Sequence, residues 1–507
     1  MTAIIQQDFS LLRDFFPLSG NDSTAITVPD GGPSLTYAAL SEKVQSWAEL
    51  MWKNGVCRGD VVSVAVPNSV EFIISFLAVT SMGAIAAPLN SAYTADEFRF
   101  YMEDARAKAV ITTRNTCPAA KEAAGYLHMP VWETGIGGSG IFFLECINPA
   151  ASNTGEPSVP SEGDTAMFLH TSGTTGRPKG VPLTHGNLAS SINNIIKTYS
   201  LRGDDVSLIV MPLFHVHGLI GAALSTLRSG GTLIIPPKFS AHSFWEHAIK
   251  HRATWFSAVP TIHHILLELS DKENPPKGLM RFIRSCSSAL APATMHRMEE
   301  SFGSPVLEAY GMTEASHQMA SNPLPPSLRA VGTVGKATGI EIAIVDEKGN
   351  FLKEGDRGEV CIKGRSVMKG YHNNPEANAA AFVQGWLRTG DQGFLDERGY
   401  LSLTGRIKEL INRGGEKISP AEVDAVLLEH PCVTEAACFG VADHKYGEEI
   451  HAAVVLGRQA SPEEIKGFCS ERLAPFKVPK EIHIMDAIPR AATGKIQRRA
   501  LSQMFSM

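Results

Sequence analysis

Up to about residue 400, short apolar runs rich in β-branched side chains alternate with helix-length stretches of mixed polarity. The runs fall at 61–66, 110–112, 166–170, 207–211, 232–235 and 254–259. Strands spaced in this way predict βαβ units, and hence largely parallel sheets covered on both faces. Residues 72–89 form a stretch apolar enough, and long enough, to raise a membrane-spanning reading. Ser75, Thr80, Ser81, Gly83 and Pro88 interrupt it, and Gly83 reads as a helix stop. A buried helix over 71–82 followed by a strand over 84–89 fits the pattern better.

Past Gly339 the texture becomes strand, turn, strand. Residues 340–345 lead into Asp346-Glu-Lys-Gly349, then to strands over 358–363 and 400–404. A small antiparallel β module is expected there. The last hundred or so residues offer a helix over 420–429, strands over 435–440 and 450–456, a helix over 462–473 and a final strand. The predicted architecture is α/β with a β-rich subdomain. A large N-terminal domain, residues 1–404, holds parallel αβ layers plus the β module. A small, mobile α+β C-terminal domain, residues 405–507, follows it.

The hydrophobic fraction of 44% and charged fraction of 19% are those of a globular protein. A net charge of −6 gives no general attraction to nucleic acid or to an anionic membrane, so phosphate binding must be local. The eight cysteines contain no C-x-x-C pair and read as reduced thiols of an intracellular protein, not disulfides or zinc ligands. The segment MTAIIQQDFSLL has no basic stretch ahead of an apolar one. Phe505-Ser-Met507 shares only its terminal Met with peroxisomal signals. A cytoplasmic location is expected, with the peroxisome as the weaker alternative.

The strongest chemical signal is Thr171-Ser-Gly-Thr-Thr-Gly-Arg-Pro-Lys-Gly180, directly after an apolar run. Gly173, Gly176 and Gly180 let backbone approach a polyphosphate. Thr171, Ser172, Thr174 and Thr175 add hydroxyl donors, and Arg177 and Lys179 add charge. It is not a Walker A loop, because no Gly-Lys-Ser/Thr closes it. Gly135-Ile-Gly-Gly-Ser-Gly140 matches a dinucleotide fingerprint but precedes a predicted strand where a helix is required. His247 and His251 share a probable helix without a third ligand nearby, so a half-buried face is expected there, not a metal site.

The Thr171–Gly180 loop and four later segments resemble the adenylate-forming superfamily of acyl-CoA synthetases, luciferases and peptide-synthetase adenylation domains. The likeness covers nearly the whole chain, in the family's order. Glu308-Ala-Tyr-Gly-Met-Thr-Glu314 is similar to the adenine- and metal-binding segment. The resemblance implies that Tyr310 stacks on adenine, Thr313 reaches the α-phosphate and Glu314 holds Mg²⁺. Thr389-Gly-Asp391 resembles the ribose motif, with Asp391 accepting from both sugar hydroxyls. Gly405-Arg-Ile-Lys-Glu-Leu-Ile-Asn-Arg-Gly-Gly-Glu-Lys-Ile-Ser-Pro420 resembles the hinge, where Arg406 also touches the ribose and Lys408 is the pivot. Ala492-Thr-Gly-Lys-Ile-Gln-Arg-Arg499 resembles the closing lysine motif. Lys495 is then the catalytic cation that ATP also meets, and Gly414 and Gly415 line the pantetheine path of coenzyme A.

That likeness implies a two-step ligase. A carboxylate attacks the α-phosphate of ATP, and the thiol of coenzyme A then displaces AMP. A metal ion and Lys495 offset charge that grows in the first transition state, and positioning supplies much of the rest. Small molecules are the expected partners, with no obligatory protein partner. A luciferase-type oxygenase or a non-catalytic nucleotide-binding scaffold would share the core. Retention of both Glu314 and Lys495 speaks against the scaffold.

Three segments bear on the acid. Pro212-Leu-Phe-His-Val-His-Gly218 follows the predicted strand at 207–211 and puts His215 or His217 at the sheet edge. Arg284-Ser-Cys-Ser-Ser-Ala-Leu-Ala-Pro292 supplies Ser287 and Ser288, and His317 lies just past Glu314. A long-chain or aryl acid needs an apolar tunnel, where unpaired His or Ser would be costly. These segments resemble the oxalate–CoA ligase branch known from plants and fungi. That resemblance implies that His215, Ser287 and His317 bind a distal carboxylate, and the cost of burying that second charge predicts at least one histidine protonated in the complex. The alternative is another short-chain, medium-chain or 4-coumarate-like acid. Gly311 departs from the branch, where alanine is usual, and is expected to change the room beside the adenylate.

Overall fold

The computed structural model describes residues 8–16, 22–137, 140–148, 153, 158–171, 178–273, 275–491 and 494–506. The alternation of apolar runs and helices produces two large sheets. One has seven strands, in the order Phe142–Cys146, Val131–Ile136, Ala107–Thr113, Val61–Ala65, Ile85–Pro88, Thr165–Thr171 and Lys179–Thr184. Its middle is parallel and both ends turn antiparallel. The other has nine strands and is parallel from Thr24–Thr27 through Thr232–Ile234, Val206–Leu208, Trp255–Ala258 and Phe282–Ser285 to Val306–Met312. Antiparallel strands again close its ends.

The apolar stretch at 72–89 is a core element. Its helix spans Val70–Ser81, is capped by Ser69 accepting from Phe72 N, and is buried from Val70 through Thr80. Each apolar side chain so covered contributes about 1.5–3 kcal/mol relative to exposure. Among the described residues no helix is long and apolar enough to cross a membrane.

The predicted β module is a five-stranded antiparallel sheet of Glu341–Val345, Gly358–Lys363, Phe382–Val383, Trp386–Leu395 and Leu401–Arg406. The last unit builds another five-stranded sheet from Ile411–Arg413, Glu416–Ile418, Val433–Asp443, Gly447–Leu456 and Glu481–Ile484. Helices Pro420–Leu428 and Pro462–Ser470 contribute to its separate core. All eight cysteines are free.

Candidate active site

The glycine-rich loop joins two antiparallel neighbours, with Thr171 opposite Lys179 at its mouth. Ser172, Gly173, Thr174, Thr175, Gly176 and Arg177 lie outside the described residues. The Lys179 ammonium sits 4.6 Å above the ring of Tyr371, and the Tyr371 hydroxyl donates to Glu314 at 2.9 Å. Glu314 occupies a short turn, Thr313–Ala315, at the end of the Val306–Met312 strand, and both Thr313 and Glu314 are buried. The carbonyl of Glu314 accepts from Met368 N at 2.7 Å. Asn187, in the first turn of helix His185–Tyr199, donates to the Arg365 and Val367 carbonyls and ties down that same segment. A hard, oxygen-seeking cation fits here, because Glu314 offers a carboxylate held by a single neutral donor among the described residues.

Asp391 and Arg406 are cross-strand partners on the Trp386–Leu395 and Leu401–Arg406 strands. Arg406 Nε approaches Asp391 Oδ1 at 3.2 Å, and the Tyr310 hydroxyl donates to Asp391 Oδ2. Burial, and then the Asp391 charge, push the Tyr310 hydroxyl far above its ordinary range, so it stays a donor. Tyr310, Asp391 and Arg406 therefore form one cluster, as the motif likeness implies.

Lys495 reaches the same place from the small unit. Burial lowers its pKa, and nearby Arg406 lowers it further, while Glu409 and Asp391 pull the other way. Gly494 packs against the large unit so closely that an added Cβ would lie 3.2 Å from Val259 Cγ2. His215 responds to Lys495 in turn: burial first, and then the ammonium, hold it down at about 4.

Beside this cluster lies a buried polar group. His217 shares one ring nitrogen with Ser287 Oγ at 2.9 Å and the other with Ser257 Oγ at 2.7 Å. His217 and His317 stack with ring centres 5.2 Å apart and planes 19° from parallel. Arg284 donates to His317 Nε2 at 2.8 Å. Ser287, Ser316 and His317 all hold left-handed backbone, at φ 73°, 55° and 107°. Such residues cost about 1–3 kcal/mol each and persist where surrounding structure enforces them.

Burial pushes His217 and His317 well below the ordinary imidazole range, and Arg284 is the next cause for both. Both rings and His215 are neutral in these surroundings, and the cation of the group is Arg284. Gly311 also has a packing role. A Cβ there would stand 2.2 Å from the His317 carbonyl oxygen, so glycine is what allows that close strand approach.

Gly414 and Gly415 form the turn between Ile411–Arg413 and Glu416–Ile418, at φ 61° and 95°. Gly414 packs on Tyr446, and a Cβ on Gly415 would meet nothing within 4 Å. Lys408 lies in the short turn Ile407–Glu409 between the two units. Neither glycine joins the Asp391–Lys495 cluster here. His247 instead pairs with Asp30 at 3.1 Å. Among the described residues, His451, Glu481 and His483 form the one group with metal-ligand chemistry. That group lies on the small unit's sheet, where the imidazoles already bond each other at 3.0 Å.

Sequence reasoning missed Tyr371 and Arg284. Tyr371 lies in a turn with no pattern to mark it. Arg284 did leave a signal, a cation inside the apolar run Phe282-Ile-Arg-Ser285.

The AMP-binding enzyme family matches residues 19–372, and its C-terminal domain matches 422–495. "Probable CoA ligase CCL9" of Humulus lupulus is 52% identical, over 96% of this chain and 94% of the relative. "Oxalate--CoA ligase" of Arabidopsis thaliana is 51% identical, over 96% of each. The crystal structure of ATP-bound MatB from Rhodopseudomonas palustris superposes with a TM-score of 0.88. It is 32% identical and covers 98% of this chain and 99% of its own.

Proposed function

The chain belongs to the AMP-binding enzyme family, and from that premise we propose that it is an ATP-dependent oxalate–CoA ligase. The products are oxalyl-CoA, AMP and diphosphate. The observation that carries the choice of acid is the fully buried Arg284, set among neutral His, Ser, Tyr and Gln partners. A cation in that position favours a substrate with a second negative charge, and its polar surroundings disfavour a hydrocarbon tail. The relative from Arabidopsis thaliana, at 51% identity, supports the same reading.

In the first half-reaction His215, Ser287 and His317 receive the distal carboxylate and aim the other at the α-phosphate of ATP. Thr171, Lys179 and the loop residues Ser172 to Gly176 hold the polyphosphate, and Thr313 reaches the α-phosphate. Tyr310, Asp391 and Arg406 fix the nucleoside. Glu314 would hold Mg²⁺, which supplies charge neutralisation on the phosphates when bound. Lys495 stabilises charge that develops at the α-phosphate, and its buried setting strengthens that interaction. The second half-reaction needs Lys495 out and a thiol in. We assign that exchange to rotation of residues 405–507 about Lys408, which would bring Gly414 and Gly415 to the pantetheine path. Cysteines that are all free fit a reducing compartment such as the cytoplasm.

A pyrophosphate-release panel tests the reading. Oxalate, malonate, acetate, octanoate and 4-coumarate are each assayed with and without coenzyme A. Oxalate is expected to give the highest kcat/KM. Preference for octanoate or 4-coumarate overturns the oxalate assignment and leaves the ligase assignment standing.

A further inference from the structure

Arg284 has no exposed surface, and a guanidinium can only donate hydrogen bonds. Its Nε donates to the Tyr199 hydroxyl at 2.8 Å and its Nη1 to Ser257 Oγ at 2.9 Å. Its Nη2 donates to His317 Nε2 at 2.8 Å and to Gln318 Oε1 at 3.0 Å. None of these partners is an acid, and no ion pair to Arg284 exists among the described residues. Burial opposes its charge, yet Tyr199 and Cys286 shift the balance upward, so it remains a cation. A buried cation without a counter-ion is costly unless an anion completes the site.

The donor role of Arg284 propagates in two directions. Ser257 Oγ accepts from Arg284, so its own proton goes to its other described neighbour, His217 Nε2. His217 is neutral, so its ring proton sits on Nδ1 and is donated to Ser287 Oγ. Ser287 thereby accepts from His217, and among the described residues its own proton faces only the Cys286 sulfur, a weak acceptor that an incoming carboxylate outcompetes. In the second direction Arg284 occupies His317 Nε2, which leaves the ring proton on Nδ1, the edge that faces Gly311. Gly221 makes that bond possible, since a Cβ there would stand 2.4 Å from His317 Nε2.

We propose that Arg284 is the positioning residue that sets the donor polarity of the acid site. Through Ser257 and two neutral histidines it presents the Ser287 hydroxyl and His317 Nδ1–H as paired donors, and it supplies the countercharge without touching the substrate. This assignment rests on the proposed acid site. Its consequence is selectivity for an acceptor-only terminus: a carboxylate suits both donors, whereas the amide end of oxamate brings a nitrogen that can only donate.

The first measurement uses the full-length wild type with ¹⁵N-labelled histidines. Long-range proton–nitrogen spectra are expected to show His217 and His317 as neutral Nδ1–H tautomers from pH 6 to 8. Nε2–H tautomers, or a protonated ring, overturn the assignment whatever the substrate. The second measurement follows kcat/KM for oxalate and acetate from pH 5.5 to 8.5 in Arg284→Met and Arg284→Lys. Arg284→Met is expected to lower the oxalate-to-acetate ratio about a hundredfold at pH 8. The ratio recovers on acidification, because His317 without its cationic neighbour accepts a proton. Arg284→Lys falls between the two. Equal losses for both acids, with no recovery at low pH, indicate a merely structural role and overturn the proposal. If Arg284→Met fails to fold, Ser257→Ala cuts one arm alone. It is expected to lower the ratio about tenfold and to free His217 for the other tautomer. An unchanged ratio and tautomer overturn the proposal. A wild type that shows Nδ1–H tautomers yet does not prefer oxalate overturns the substrate reading and leaves the polarity assignment standing.

Discussion

The hydroxyl of Tyr371 donates to Glu314 at 2.9 Å while its ring lies under the Lys179 ammonium at 4.6 Å. One side chain thus couples the strand that leaves the glycine-rich loop to the carboxylate that would hold Mg²⁺. Removing the hydroxyl frees Glu314 without removing the ring. Tyr371→Phe is expected to lower kcat/KM for ATP about tenfold or more, since a hydrogen bond to a charged group is worth about 1.5–3 kcal/mol. Excess Mg²⁺ should recover part of the loss. Pyrophosphate release titrated with Mg²⁺ checks this, and an unchanged Mg²⁺ dependence would dissociate Tyr371 from the metal role.

The two half-reactions separate by mutation if Lys495 serves only the first. Lys495→Ala is expected to abolish adenylate formation while coenzyme A still captures a supplied acyl-adenylate. Gly415 holds φ 95°, a conformation that favours glycine. Gly415→Leu is expected to spare adenylation and to impair thioester formation. Equal damage to both steps in both variants would mean that one arrangement serves the whole reaction.

His317→Ala removes one of the two donors proposed for the distal carboxylate. A cost of about 2–4 kcal/mol in kcat/KM for oxalate is expected, by analogy with truncating one partner of a buried charged contact. Acetate lacks that group, so the oxalate-to-acetate ratio should collapse. A ratio equal to that of the wild type would detach His317 from acid selection.

Glu308 is buried beside Ser285, accepts from Leu290 N at 3.0 Å, and is pushed by burial from 4.5 to about 7. Its carboxyl holds a proton in the folded chain over a pH range where the unfolded chain has lost it. Its contribution to stability therefore falls as pH rises from about 4.5 to 7, and the full penalty is present above that. Glu308→Gln keeps the acceptor and removes the charge. It is expected to stabilise the protein at pH 8 by up to about 3 kcal/mol and by almost nothing at pH 4.5. Urea unfolding at the two pH values measures this, and a destabilised Gln variant at pH 8 would refute it.

Much of the architecture was readable because burial leaves a period in the sequence. The strand Gly358–Lys363 falls on its predicted span, and the helix Val70–Ser81 differs from the expected one by a residue at each end. Where apolarity reports burial without pairing, the reading fails. The run at 207–211 is buried throughout, yet the paired strand is only Val206–Leu208. The Thr24–Thr27 and Ser34–Thr36 hairpin was too short to declare itself. Helix Arg498–Phe505 fully buries only Leu501, with Phe505 packed beside it, and its two turns were too short to stand out.

The site followed the same division. Glycines, hydroxyls and acids in a compact motif reveal their chemistry locally, and Tyr310, Asp391 and Arg406 do meet. The charge state of His217 and His317 depends instead on burial and then on Arg284, whose partners are drawn from Tyr199, Ser257, His317 and Gln318. No window of sequence contains that neighbourhood, so the cation beside the histidines was not anticipated.

The glycine-rich loop runs from one antiparallel strand into the next, and helix His185–Tyr199 begins only after Lys179–Thr184 is complete. No helix N-terminus therefore follows directly on the loop, so the chain that leaves it aims no helix dipole at a bound phosphate. Beside the loop's own hydroxyls and Lys179, the charges proposed to meet the phosphates would then include parts that can depart: the metal ion, and the Lys495 side chain carried by the small unit. Withdrawal of that unit would loosen the diphosphate and admit the thiol in one movement, which would fix the order of the two steps.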